Sequence, residues 1–554
     1  MSELRLLPAA LLTWAVMLAL LCGGHWGVAV GILCAALGIA LACRAPGQAI
    51  LLGGCGVAAA VIVGVQLHAA QAFHFGSQLS ATVASSPRPM ETGGWFLEVS
   101  VPGYPSRVPL MCAATQLPTG MVPGAGVSAR VTVGESSRPG LGEVLLHAVT
   151  CDVSQPAQGS AAWAAHARET FRDAVSARVE PDAAALLPGM VVGDTSLQDQ
   201  VTRQLYIDTG LSHLSAVSGS NVAIVTTAMV LLARAAARGP VGQSLAAALG
   251  LLGFVALVGT EPSVIRAAVM GLVGLIAVIR SARMEPLHSV CLAVIALLLW
   301  DPDLAVSPAF ALSVSATVGI VALSPLILRH LVWLRAPHIL LSALAVAIAA
   351  DVVTMPIIAL VTGRVSLVAV LANILAAPMV TPITVLGLIA ALLAQCGMGL
   401  ERPLLWLLEP AAQWIHGVAA WCQGVPHSTI EVPDGLLGAS IVMVAYGWLL
   451  WALAAGYRKS VAGVLLLGGA WVFFPRPGPE PVDLAALRVV VVENDEQVGS
   501  VAAGTQVIVV RSGEGRRSAR PTVTSDGVPV LYPARDGPVT LYADGTQHAA
   551  DGRF

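Results

Sequence analysis

Lysine is almost absent: Lys459 is the only one in 554 residues, and every other basic side chain except histidine is arginine. Charge of either sign is scarce. Asp, Glu, Lys and Arg make up 11% of the chain, about half of what a soluble domain carries. A soluble globular protein of this length is thereby excluded. No GxxxxGK[ST] sequence occurs, so the chain brings no P-loop motor of its own. Nine cysteines show no CxxC or zinc-ligand spacing, which removes a cysteine-zinc centre. The net charge of −3 identifies no partner, because in such a chain charge is read loop by loop.

What is present is apolar. Hydrophobic residues make up 56% of the chain and its mean hydropathy is +0.79. Apolar runs long enough to span a bilayer as helices recur along most of it. The fold class is a polytopic α-helical membrane protein with an inserted small β domain. Residues 1–70 contain three spans, at 6–22, 27–43 and 49–66. Residues 76–153 change character: alternating runs such as Trp95–Val101 and Val127–Val133 lie between Gly/Pro turns, the pattern of a small β domain. Residues 161–179 read as an amphipathic helix, with Trp163, Phe171 and Val175 among Arg168, Arg172 and Arg178. It lies either at the membrane interface or on the β domain. The chain is membrane again from 211 to 474, and 475–554 is a polar tail with strand-like runs at 487–492 and 506–510.

Loop charge sets an orientation. Arg5 and Arg44 put the N-terminus inside and the β domain outside. In the second bundle Arg234/Arg238, Arg280/Arg283, Arg329/Arg335, Arg402 and Arg458/Lys459 alternate with loops bearing Glu261, Asp301/Asp303 and Glu431/Asp434. Arg364 breaks the alternation unless 366–395 is one long, broken span, which gives thirteen spans and a tail outside. Cys112 and Cys151 both fall in the β domain. On the outer side they either form a disulfide or remain two buried thiols.

Residues 210–225, GLSHLSAVSGSNVAIV, place serines, glycines and an asparagine at the head of an apolar segment. Groups of this kind at membrane depth face protein, water or a solute. This stretch resembles the signature of the ComEC competence proteins, the family of DNA-uptake channels. LLPGMVVGDTS (186–196), GTEPSVIRAAVMG (259–271), SPAFALSVSATVGIV (307–321) and SLVAVLANILAAPMV (366–380) are similar to further segments of that family, in the same order. The resemblance implies that residues 186–474 form the competence-type channel domain and that the β domain is OB-like. Two departures stand out. Many members carry Leu-His where Ser220 and Asn221 stand, and asparagine does not titrate. Many members also end in a metallo-β-lactamase-like domain with a His-x-His-x-Asp-His cluster. The tail here has His548 alone, so it is read as a remnant without nuclease activity.

The candidate path residues are His213, Ser215, Ser218, Gly219, Ser220, Asn221, Arg266 and Asn373. Small polar residues at 215–221 act either as helix–helix glue or as the wall of a wet groove, and the resemblance favours the wall. Arg266 either snorkels, meets a DNA phosphate, or pairs with Glu261 or Asp351. Asp351 would repel a polyanion, so it is read as an arginine's partner or a proton-coupling site. Asn373, ahead of Pro378 and Pro382, marks 372–382 as a second wall, either unwound or a plain kinked helix. Trp95, Phe96 and Tyr104 are candidates for base stacking on the β domain, though that domain carries no basic excess.

The resemblance implies a non-enzymatic channel in the cytoplasmic membrane, without cofactor or metal, passing single-stranded DNA inward. It implies an external DNA receptor, a cytoplasmic helicase-like motor, a separate nuclease, surrounding membrane lipid and, in one arrangement, a homo-oligomer. The alternatives are a secondary transporter of a small anionic solute and a degenerate, non-transporting relative.

Overall fold

A computed structural model describes residues 5–90, 94–114, 117–118, 120–136, 139–141, 143–259, 262–279 and 286–473. In the tail it describes 482, 487–493, 498, 505–511, 521–524, 528–542 and 547–549. Arg138, Glu261, Arg280 and Arg283 lie outside the described residues.

The chain begins with three apolar helices, α1 (Leu7–Leu21), α2 (Trp26–Ala42) and α3 (Pro46–Ala72). Pro46 sits in the first turn of α3, where a missing N–H costs nothing. α1 and α2 run 15 and 17 residues, shorter than a typical span, whereas α3 has 27 and outruns the expected 49–66.

The β domain spans β1 (Gln78–Val83), β2 (Arg88–Pro89), β3 (Trp95–Ser100), β4 (Arg107–Cys112), β5 (Gly126–Glu135) and β6 (Val144–Gln155). Alternation in sequence becomes alternation in burial: Leu79, Ala81 and Val83 point inward from β1, and Val108, Leu110 and Cys112 from β4. The strands follow the order β1-β5-β6-β4-β3, and β1 pairs back onto β3, closing a five-stranded barrel with β2 on its rim. The β4–β6 pair alone is parallel; the other pairings in the barrel are antiparallel. Closure leaves no open sheet edge among the five. Cys112 on β4 and Cys151 on β6 are joined as a disulfide across a Cα–Cα distance of 6.3 Å.

α4 (Gly159–Ser176) and α5 (Pro181–Val192) lead into the second helical region. α4 buries Phe171 and Val175 and packs on α5, α8 and α13, while Ala161 in its first turn lies against Gly124 of the β domain. α5 is the centre. Every residue from Ala183 to Val192 is buried, and Gly193 ends the helix in the left-handed conformation at φ 77°. After α6 (Gln200–Asp208) come α7 (Gly219–Ala235), α8 (Pro240–Val258), α9 (Pro262–Ile279) and α10 (Pro286–Trp300). α11 (Pro308–Leu331), α12 (His338–Thr362), α13 (Ala369–Ala394), α14 (Arg402–Gln423), α15 (Leu436–Ala454) and α16 (Arg458–Phe473) follow. Among the described residues six helices are long and apolar enough to cross a membrane: α3, α8, α11, α12, α13 and α15. α7 and α10 are apolar but shorter.

One expectation is corrected. Segment 366–395 is not a broken span: α13 runs continuously through Pro378 and Pro382. Arg364 lies before it in β7 (Arg364–Ser366), which pairs with β8 (Thr429–Glu431). There its guanidinium is 3.9 Å from Asp208 and 3.5 Å from Glu431. Carboxylates balance the arginine that breaks the charge alternation.

A second unit, dominated by the tail, contains the strands expected at 487–492 and 506–510. β9 (Val489–Val492) and β10 (Val507–Val510) are parallel neighbours in a four-stranded sheet with β11 (Thr522–Val523) and β12 (Pro529–Leu531). His548 stands in a separate two-stranded sheet.

Candidate functional site: two polar junctions in the helical domain

The signature segments meet around α5. Gly189 of α5 lies so close to the carbonyl of Ser215 that a Cβ there would collide with it. Gln198, just beyond α5, donates from its side-chain nitrogen to the same carbonyl at 2.7 Å. Gly387 of α13 allows an equally tight approach to Val191. The absence of two side chains thus lets α5 lie directly against the Ser215 carbonyl on one side and seat Val191 against the backbone of α13 on the other.

Asn221 completes this junction. It is 3% exposed on the first turn of α7. Its Nδ2 donates to the Met190 carbonyl at 2.9 Å, and its Oδ1 accepts from the Thr384 hydroxyl at 3.5 Å. Both ends of the amide are used, tying α5, α7 and α13. Ser215 is also buried, and its hydroxyl donates to the Ser212 carbonyl at 2.9 Å. Asn221 thus has the geometry of a helix tie, whereas the Ser215 hydroxyl closes a local turn and its carbonyl makes the contact to Gln198. The neighbours differ: Ser218 caps α7 half-buried, Gly219 follows half-buried, and Ser220 is exposed, its hydroxyl 2.6 Å from that of Ser218. His213, in the loop before α7, is accessible to water, yet protein surrounds it closely enough to push its imidazole pKa down.

Asp194 anchors α4 to this junction. Its carboxylate accepts from the Ser196 N–H at 3.0 Å and lies 3.7 Å from the guanidinium of Arg172. The arginine face of α4 thus has a second function beyond meeting water.

Arg266 forms the second junction. It is 5% exposed on α9 and turns its guanidinium to α11. Nε donates to the Ser313 hydroxyl at 2.9 Å and Nη1 to the Thr317 hydroxyl at 2.7 Å; Nη2 also reaches Ser313, and the Met270 thioether lies 3.4 Å from Nη1. The arginine does not snorkel, and Asp351 is not its partner. Interhelical hydrogen bonds at membrane depth contribute about 0.6 kcal/mol each and at most ~1.7. A mid-helix arginine costs roughly 2.5–3.5 kcal/mol on insertion scales. Several such bonds come within reach of that cost, so Arg266 is retained without a bound anion. The two junctions share one apolar cluster, in which Val264 packs with Val217 and Val222.

The remaining candidates lie apart. Asp351 on α12 accepts from the Tyr446 hydroxyl of α15 at 2.7 Å. Its partner is a tyrosine, not the expected arginine. Asn373 is half-buried within the unbroken α13. On the barrel, Tyr104 is 8% exposed and donates to the Leu141 carbonyl at 2.7 Å, and Trp95 packs on the barrel core. Tyr104 is thereby taken into the barrel core, while Trp95 and Phe96 are both half-buried.

Residue-type reasoning missed Gln198, Thr384, Ser313, Thr317 and Tyr446. Ser313 and Thr317 did carry a signal: they stand four apart, on one face of α11, inside the FALS-containing segment. Thr384, three residues after Thr381, and Tyr446 lie outside the family-like segments, so nothing in the sequence singled them out.

The comparisons with known proteins fall on this region. Residues 190–459 match the family described as Competence protein. ComE operon protein 3 of Bacillus subtilis (strain 168) is 27% identical over 213 residues, covering 38% of this chain. The match spans 27% of that relative's length. No solved structure matches the chain. The helical region whose signature segments converge on α5 and on Arg266 is thus the part of the chain that matches the competence protein family, in agreement with the ComEC resemblance read in the sequence.

Proposed function

We propose that the helical domain passes single-stranded DNA across the cytoplasmic membrane during natural transformation. The observation that carries this reading is the meeting of four signature segments at two linked polar junctions, with His213, Ser218 and Ser220 left open beside the packed ties. The ties hold a rigid frame, and the open side chains line the path. Asn221 and Arg266 then act by positioning the frame, with Gly219 half-buried at its margin and Asn373 half-buried on α13, apart from both junctions.

The barrel is read as the outer domain. Loop charge puts it outside, and a disulfide suits an oxidising side. Its five-strand closure supports an OB-like fold, although its stacking face is smaller than the aromatic residues suggest. An external receptor would deliver DNA, a cytoplasmic motor would draw one strand in, and a separate nuclease would remove the other.

The test is transformation frequency in a strain carrying the chain as its sole copy. Asn221→Ala and Arg266→Ala, each verified as membrane-inserted at wild-type level, should lower the frequency at least about tenfold, the equivalent of ~1.4 kcal/mol. Wild-type frequency in both would refute the residue assignment. Unchanged transformation on deletion, with loss of uptake of a small anion, would replace the channel by a solute transporter.

A further inference from the structure

Away from both junctions, the end of α4 and the α13–α14 connection enclose an open cleft of about 410 Å³. Asp173 comes from α4 and Arg178 from the turn just after it, and Glu401 and Arg402 from the start of α14. Glu401 is only 4% exposed. Its Oε1 lies 3.5 Å from the Arg178 guanidinium, but its buried Oε2 has no hydrogen-bond donor among the described residues. A shielded carboxylate oxygen without a donor forfeits its hydration for nothing in return. Arg402 has the converse defect. It is exposed, folds back over Gly399, and has no carboxylate partner among the described residues.

The four charges sum to zero, and both acids are already engaged: Glu401 Oε1 with Arg178, and Asp173 with Arg172 at 3.1 Å, which leaves Glu401 Oε2 and the Arg402 guanidinium as the open acceptor and donor. A phosphodiester strand would meet Asp173 and Glu401 with repulsion; a simple cation would meet the arginines. The complementary ligand is a zwitterion with a phosphate and a hydrogen-bearing ammonium. The cleft also lies at the end of α13, a membrane-length helix. Beside it Met398, Leu400, Trp406 and Leu407 are exposed, and a tryptophan one turn after an arginine is the pattern of a membrane–water boundary.

We propose that this cleft binds the head group of an aminophospholipid, such as phosphatidylethanolamine. The phosphate is held by Arg402 and Arg178, and the ammonium donates to Glu401 Oε2. Because Oε2 is shielded, the ligand enters by drawing the long exposed arginines toward its phosphate. The site is independent of the DNA reading.

The test uses the purified full chain, reconstituted with equal amounts of dioleoyl phosphatidylethanolamine, phosphatidylcholine and phosphatidylglycerol. Lipid retained after detergent extraction is measured by native mass spectrometry. The choline lipid has the same phosphate but no N–H, so the comparison isolates the bond to Glu401. Retention of the ethanolamine lipid should exceed that of the choline lipid about tenfold, the scale of one charge-assisted hydrogen bond. Glu401→Gln should cut that preference to near parity, and Arg402→Gln should lower retention of the ethanolamine and choline lipids alike. Equal retention of ethanolamine and choline lipids by the wild-type chain, preference for the glycerol lipid, or retention of both lipids unmoved by Arg402→Gln would each overturn the proposal. These outcomes stand even if Glu401→Gln fails to fold. Binding of soluble glycerophosphoethanolamine without enrichment of the lipid would reassign the head-group chemistry to a soluble ligand and defeat the lipid assignment.

Discussion

The barrel and the helical domain bury polar groups by opposite means. In the barrel the polar groups are mainly backbone, and closure of the sheet satisfies them strand by strand. Side chains inside it are apolar, and one disulfide fastens β4 to β6. In the helical domain each helix satisfies its own backbone, so what joins helices is side-chain chemistry: an amide across three helices, a guanidinium on two hydroxyls, a phenol on a carboxylate. Loss of one strand pairing would open the barrel. Loss of one tie should loosen only one junction of the bundle.

That contrast can be broken most forcefully at the disulfide. Replacing Cys112 and Cys151 by alanine should cost the barrel about 2–4 kcal/mol, the usual range for a bond closing a loop of this size. Limited proteolysis should then cut within 78–155 while the helical domain stays intact. Equal protection with and without the bond would mean that closure alone suffices. Next comes Gly189→Val, which forces a branched side chain against the Ser215 carbonyl. Overpacking of this kind costs about 1–3 kcal/mol. The loss should appear as a lower melting temperature of the detergent-solubilised chain, with the barrel's protease resistance unchanged.

The same contrast governs what could be read in advance. The barrel was legible because alternation with period two maps directly onto burial, as at Leu79, Ala81 and Val83. The tail strands at Val489–Val492 and Val507–Val510 were legible for a similar reason. In the helical domain the apolar runs located most helices, and the signature segments marked Asn221 and Arg266. Their partners stayed hidden, because a tie joins residues far apart in sequence: Asn221 and Thr384 are 163 positions apart. Proline misled as well. Pro378 and Pro382 suggested unwinding, yet α13 continues through both. α5 was overlooked as a hub because twelve residues are too few to span a membrane, and only its burial on all sides reveals its place.

A smaller effect sharpens the account of the ties. In a double-mutant cycle between Asn221→Ala and Thr384→Val, the coupling energy should be about 0.6 kcal/mol, the average for interhelical hydrogen bonds in membranes. Thermal melts of the four proteins measure it. Zero coupling would make the 3.5 Å contact incidental and leave the Met190 carbonyl as the only partner of Asn221 that matters.

The smallest expected effect lies where the barrel meets the helices. Asp303, in the turn after α10, accepts the Leu141 N–H at 2.9 Å and the Ser106 hydroxyl, so one carboxylate joins two barrel loops. Asp301 beside it is different: burial, and then the neighbouring Asp303 charge, push its carboxyl pKa up. A carboxyl with a raised folded-state pKa favours folding most when protonated. Its contribution is therefore present in acid and lost as pH rises from the ordinary carboxylate range through the raised value. Asn keeps the oxygen that accepts the Asp303 N–H but has no charge to lose. Asp301→Asn should accordingly melt slightly above wild type at neutral pH, with the gap closing as pH falls toward about 4, near the unperturbed aspartate value. A gap constant across that range would mean that the Asp301 charge costs the joint nothing, and that Asp303 alone fastens the barrel to the helices.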